Sequence, residues 1–246
     1  MPSRRLNLDE AAEYLHLPVR DLEELVRRRE IPCERQGGRL QFLRGEVDAW
    51  ASQRILGMPE ARLEKYHRNA TVRVRHRLGR AHAIVAELLR PAAVVPALAS
   101  RTKASLLRDM VEVAGRTELL YDPADLLASL REREELCPTA IENGVALLHP
   151  RHHDPYLAGD SFIALGRVVH PLPFGAADGR QTDLFFLICC QDDRIHLHVL
   201  ARLCLMCLHT GMLEQLRAAA DGAEMAAAVA AAERQAMAGI PADGET

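Results

Sequence analysis

Residues 130–151 read LREREELCPTAIENGVALLHPR, and the order of residue types in this stretch decides the architecture of most of the chain. A helix that starts after Pro123 runs from Ala124 to Glu135 and carries Arg133. A glycine turn at Gly144 follows, then a short apolar run that ends on His149-Pro150-Arg151. A neutral imidazole is nucleophilic near neutral pH and can accept a phosphoryl group, while a second histidine and an arginine can donate hydrogen bonds to the incoming oxygens. Arg133 supplies the arginine, and His196 and His198, at the start of a later helix, supply candidate histidines. Phosphoryl transfer asks mainly for such positioning and charge stabilisation.

Outward from this stretch the chain alternates strand and helix signals. Upstream lie a helical stretch from Ile84 to Arg90, the segment Ala92 to Leu98, and an amphipathic helix from Lys103 to Ala114 with Leu106, Leu107, Met110, Val111 and Val113. Downstream, strand patterns recur at Asp160 to Val169 and Asp183 to Cys190, joined by the Pro/Gly-rich connection His170 to Gln181. A helix from about Arg194 to His209 and an Ala-rich helix from Ala223 to Met237 complete an α/β layer arrangement.

The stretch 130–151 resembles the signature of the phosphotransferase-system enzyme IIA domain of the fructose/mannitol type, which includes nitrogen-regulatory members and reads roughly LLxREELxxTAIGxGIAxPHxR. The likeness spans about residues 84 to 232 and continues through VHPLPFGAADGRQTDLFFLICCQDDRIHLHVLARL. It implies a mixed β-sheet flanked by helices and a phosphocarrier that accepts from a His-phosphorylated carrier protein. It also implies that Arg133 is the active-site arginine, His149 the phosphorylated histidine and His196 the second histidine beside the phosphoryl group. Leu148 replaces the family's proline, Glu142 its glycine and Pro138 a small polar residue, while Cys189-Cys190-Gln191 replaces an apolar-proline strand exit. A Glu142 carboxylate turned toward His149 would disfavour a dianionic phosphate, so a pocket that senses without accepting phosphate is the alternative.

The N-terminal residues form a second pattern. Asn7 or Asp9 can cap a helix through Leu15, and Leu17-Pro18 precedes a second helix from Val19 to about Arg29. Ile31-Pro32 stops it, two short strands flank Gly37-Gly38, and a third helix carries Val47 and Trp50. The run from Leu6 to about Arg54 resembles excisionase-like winged helix-turn-helix domains related to the MerR group. The resemblance implies that Arg20, Arg27 and Arg28 lie near DNA on the second helix, with Arg35, Arg39 and Arg44 near phosphates. Asp21, Glu23 and Glu24 share that second helix and repel phosphates, which points to weak or partner-assisted DNA binding. A degenerate helix-turn-helix used for packing or protein contacts fits the same residues.

Charge divides the chain the same way. Residues 1–58 are neutral, 59–90 carry net +5 and 91–246 carry net −8, which suggests units with different partners. We expect a helix-turn-helix at 1–56, a basic linker or connecting helix at 57–82, an enzyme IIA-like domain at 83–235 and a flexible tail at 236–246. The VRVRHR tract alternates like a strand, whereas Leu63, Tyr66, Leu78, Ile84 and Val85 equally suit a helix. Affinity from counterion release needs the basic stretch or a dimer, and a dimer suits a palindromic site.

No apolar stretch approaches the roughly 18 residues of a membrane span, the N-terminus lacks an apolar signal core, and the six cysteines lack a secreted disulfide pattern. These features predict a cytoplasmic protein with free thiols. Cys204 and Cys207, near His209, have a spacing that suits zinc but fall in an apolar helix without a second pair, so core is expected; His152-His153-Asp154 reads as a polar loop. No cofactor and no metal are expected. The combined expectation is a transcriptional regulator whose DNA-binding head is controlled by His149 phosphorylation. The alternative is a phosphocarrier, or an inactive enzyme IIA-like interaction protein, whose head docks a protein partner.

Overall fold

The computed structural model describes residues 5–78, 84–151, 156–191 and 193–238. The end of the expected linker (79–82), His152-His153-Asp154 and residues 239–246 of the expected tail lie outside the described residues.

The head begins with β1 (Arg5–Leu6) and α1 (Leu8–Tyr14). Asn7 starts α1 through a capping box: its side chain accepts from the Glu10 amide, and the Glu10 carboxylate accepts from the Asn7 amide, both at 2.9 Å. Such a cap is worth about 1 kcal/mol. After Pro18 comes α2 (Val19–Arg27), followed by the wing strands β2 (Glu34–Gln36) and β3 (Arg39–Leu43). Gly37 and Gly38 turn between the strands with φ of 58° and 78°, the left-handed conformation a tight hairpin requires. Unforeseen in the sequence, β1 pairs with β3 and makes the wing a three-stranded sheet. The third helix, α3 (Arg44–Leu56), completes the head.

The ambiguous basic stretch is helical: α4 runs Glu60–Leu78. Leu63, Tyr66, His67, Ala70 and Thr71 are buried at spacings of three and four, one face of a helix. The side-chain alternation seen at VRVRHR does not override that stripe.

The body opens with α5 (Ile84–Leu88), shorter than the helical stretch expected, because Leu89–Leu98 forms strand β4. Helices α6 (Lys103–Gly115) and α7 (Pro123–Leu136) follow. Next come β5 (Ala140–Ile141), a 3-10 turn (Glu142–Gly144), β6 (Val145–Leu148), β7 (Phe162–Leu172) and β8 (Thr182–Cys189). Helices α8 (Asp193–His209), α9 (Met212–Ala218) and α10 (Gly222–Ala238) close the chain.

The body sheet is mixed, in the order β4-β7-β8-β6-β5. Strands β6 and β8 run parallel, as do β4 and β7, while β7–β8 and β5–β6 are antiparallel. Both faces are covered, which is why β6 and β8 read as unbroken apolar runs. Alternation still assigns each side chain to a layer. Leu184, Phe186 and Ile188 join one core with α8, whereas Phe185 and Leu187 join the other with α6 and α7. The α8-side core is continuous with the core of the head, because α3 and α4 both pack on α8. Among the described residues no single helix is long and apolar enough to cross a membrane.

Candidate active site

His149 follows the last residue of β6, and His196 lies in the first turns of α8, just past the end of β8. Because β6 and β8 are parallel, both imidazoles come to the carboxyl end of that strand pair, where open α/β sheets place their ligands. Their ring centroids are 4.8 Å apart, and the residues are only 1% and 0% exposed. Arg133 reaches the same point from the last turn of α7 and is buried as well.

The hydrogen bonds settle the state of His149. Its Nδ1 lies 2.8 Å from the Leu147 carbonyl, which can only accept, so Nδ1 carries the proton. Nε2 is therefore the lone-pair nitrogen, and Arg133 Nε–H donates to it at 2.9 Å. Arg133 Nη1 donates to the carbonyl of Cys137 at 3.0 Å and lies 3.1 Å from its Sγ, which fixes the guanidinium plane. Arg133 Nη2 is buried with no hydrogen-bond partner among the described residues. A buried cationic donor costs free energy until an acceptor arrives, and an anionic oxygen is the acceptor that suits a guanidinium.

Neighbouring residues hold this frame. Glu134, next to Arg133, accepts from the Thr139 amide at 3.1 Å and from the Thr139 hydroxyl, and Lys103 Nζ sits 2.6 Å from its other oxygen. The Thr139 carbonyl then accepts from the Leu147 amide at 3.1 Å, tying the end of α7 to β6. Beyond His149, the Arg151 amide donates to Ser129 Oγ at 2.9 Å. Glu142 is exposed on the 3-10 turn that precedes β6, whereas His149 follows its last residue. The length of the strand therefore separates this carboxylate from the imidazole.

Two contacts at the site were not anticipated. Cys137, four residues after Arg133, is one; its place just past the helix end at i+4 is the only local hint. The other is Ser52, on α3 of the head, whose hydroxyl lies 3.3 Å from His196 Nε2. It is 144 residues away in sequence, so no local pattern announces it.

The expected DNA-facing arginines form a separate group. Arg20, Arg27 and Arg28 project from α2 with side chains 85, 72 and 63% exposed, and Arg35 and Arg39 are exposed on the wing. Glu24 pairs with both Arg27 (3.1 Å) and Arg28 (2.7 Å). Arg44 is half-buried, its guanidinium 5.7 Å above the Tyr14 ring. Cys204 and Cys207 lie in the core, where burial pushes the Cys204 thiol up to about 12 and raises that of Cys207 further, the reverse of what thiolate ligation needs.

Comparison with known proteins agrees with this geometry. The family model described as phosphoenolpyruvate-dependent sugar phosphotransferase system, EIIA 2, matches residues 87–231, and a helix-turn-helix domain model matches residues 5–55. The crystal structure of the nitrogen regulatory protein IIA-Ntr from Neisseria meningitidis aligns at 26% identity and TM-score 0.54, covering 60% of this chain and 99% of that one. Enzyme IIAMtl in its complex with phosphorylated enzyme IIBMtl from Escherichia coli aligns at 16% identity and TM-score 0.52, covering 58% of this chain and 99% of that one, and shares the fold. No curated protein matches the chain.

Proposed function

The chain belongs to the phosphoenolpyruvate-dependent sugar phosphotransferase system EIIA 2 family and carries a helix-turn-helix domain, and from that premise we propose that it is a transcriptional regulator controlled by phosphorylation of His149. The observation that carries this reading is the buried Arg133–His149–His196 cluster, with the tautomer of His149 set for attack through Nε2.

In the transfer, the Nε2 lone pair attacks the phosphorus of a phosphohistidine on the donor carrier protein. The new P–N bond forms as the donor P–N bond breaks, and the donor imidazole leaves with its electron pair. Arg133 Nε releases Nε2, and the guanidinium, with Nη2 already unoccupied, takes the phosphoryl oxygens. Phosphorylation at Nε2 makes the ring cationic while Nδ1 keeps its proton. The Leu147 carbonyl, 2.8 Å from Nδ1, stabilises that charge. His196 lies within reach to donate to a further oxygen.

Incubation of the full chain with a phosphoenolpyruvate-driven carrier system, followed by intact-mass measurement, tests the acceptor. We expect one phosphoryl addition, absent in His149→Ala. No addition with several carriers would leave the pocket as a sensor of some other anion. The tie of Arg27 and Arg28 to Glu24 favours a second reading, in which the head docks a protein instead of DNA. Exposed pairs of this kind are weak, so phosphates can replace Glu24. A steep fall of duplex-DNA affinity with salt supports the regulator, and a flat response supports the docking head.

A further inference from the structure

The residue that must meet a second protein is sealed inside this one. Transfer between two imidazoles requires the attacking nitrogen to come within about 3 Å of the phosphorus, in line with the leaving nitrogen. His149 is 1% exposed and His196 is fully buried. A folded donor cannot reach either while the chain holds this arrangement.

The head packs along the helix that carries His196. Along α8, His196 meets Ser52 of α3, His198 stacks on His67 of α4 at 5.0 Å, Arg202 donates to His67 Nε2 at 3.1 Å, and His209 lies 3.5 Å from Glu60 and 3.6 Å from Glu64. Early α8 residues meet the middle of α4, and the last meets its start, so α4 lies antiparallel to α8 over this length. His198, Arg202 and His209 share one face of α8, which α4 occupies, while His196 points to the other side of the helix, where Ser52 of α3 meets it.

Ser52 holds one nitrogen of the histidine beside the acceptor. Its oxygen stands 3.3 Å from Nε2 of His196, whose ring lies 4.8 Å from that of His149. A phosphoryl group brings about two negative charges and three acceptor oxygens, and a buried dianion is costly unless each oxygen is paired. A phosphoryl group on His149 would draw on the same imidazole that Ser52 already holds.

Resting on the acceptor reading above, we propose that the head and the phosphoryl donor are alternative occupants of one surface. The donor, a His-phosphorylated carrier protein, reaches His149 only when α3 and α4 have left α8. A phosphoryl group on His149 then keeps the head from closing, and Ser52 is the head residue that reads which state is present.

Two full-chain variants open the lid by different means. Ser52→Arg places bulk and charge against His196, and Leu63→Glu buries a carboxylate on the α4 face that also carries His67, away from the phosphoacceptor. Circular dichroism checks that each keeps its helix content. Two readouts follow: phosphorylation rate by the carrier system, and carbethoxylation of His149 by diethylpyrocarbonate, mapped by peptide mass, which needs only access. We expect both rates to rise at least tenfold in both variants, and phosphorylation of the wild type to raise amide exchange across residues 44–71. Equal carbethoxylation in all three proteins would overturn the lid even if phosphorylation proceeds. Faster carbethoxylation with no phosphorylation in any of them would instead overturn the acceptor reading, and with it the competition with a donor.

Discussion

Arg133 does three things that one side chain must do together: it donates Nε–H to the nucleophile, braces itself on Cys137 and leaves Nη2 free for an oxygen. Lysine offers a point charge on a flexible stem and cannot hold that fork. Arg133→Lys should slow phosphorylation by about 100-fold while leaving thermal stability nearly intact, measured as initial rates of phosphoryl addition. Equal rates would mean that the guanidinium only fills space. Cys137→Ala, which removes the sulfur but not the carbonyl contact, should cost far less. The grouping of Arg133, His149 and His196 was legible in the sequence because two of them sit in one local run with a fixed spacing and the third lies at the start of the helix after the apolar strand β8. Ser52 was not legible. A serine on an amphipathic helix has no distinguishing neighbours, and its role exists only once two domains have packed.

The elements divide along similar lines. Helices with caps and clear stripes, such as α6 behind Thr102 and α7 behind Asp122 and Pro123, were readable because local chemistry and tertiary burial agree. β4 was not, since Pro91 and Pro96 argue against a strand. Its place at the edge of the sheet, paired on one side only with β7, is where proline is tolerated. β1 and α9, of two and seven residues, are too short to show a period. The turn before β6 was marked by Gly144, and the structure gives the reason. Its φ is +77°, and a Cβ there would lie 2.9 Å from Arg217 Nη2 and 3.1 Å from the Gln181 carbonyl oxygen. Arg217 cannot yield cheaply, because it bonds the Asn143 carbonyl at 2.6 Å and chelates Asp183 at 2.8 Å. Gly144→Ala should therefore destabilise the body by about 2 kcal/mol or more in urea unfolding. Loss of only a few tenths would mean that the turn relaxes without disturbing the strand that delivers His149.

At the scale of the whole molecule, the closed head keeps α2 and the wing in solvent, so closing does not hide the arginines expected to face DNA. What it fixes is the position of the head on the body. In a dimer that position would set whether two heads fit half-sites about 34 Å apart. The joint that holds it is polar. His67 and His198 are stacked and buried between α4 and α8, with His16 and Tyr66 on the head side and Arg202 and Glu233 on the body side. Arg202 is paired with Glu233 at 2.8 Å, and Glu233 caps α5 through the Val85 and Ala86 amides, so the Arg202 charge in this joint is already balanced. Two further positive charges would not be. Burial, and next the charge of Arg202, draws His67 from 6.5 down to about 3, and burial with Arg202, His67 and His16 holds His198 well below its ordinary value. The closed form therefore binds fewer protons than the open form. Its stability is complete above pH 6.5 and falls as the pH drops from there toward 3. At pH 5.5, one unit below the ordinary value, each histidine disfavours closure by about tenfold if opening restores its ordinary titration. Amide exchange across α3 and α4, corrected for the intrinsic rate, should then show about a hundredfold more opening at pH 5.5 than at pH 7.5. His198→Phe, which preserves the stacked shape without a titrating nitrogen, should remove about half of that dependence on a logarithmic scale. A flat profile in the wild type would mean that the two imidazoles stay neutral in both forms and that the joint is indifferent to protons.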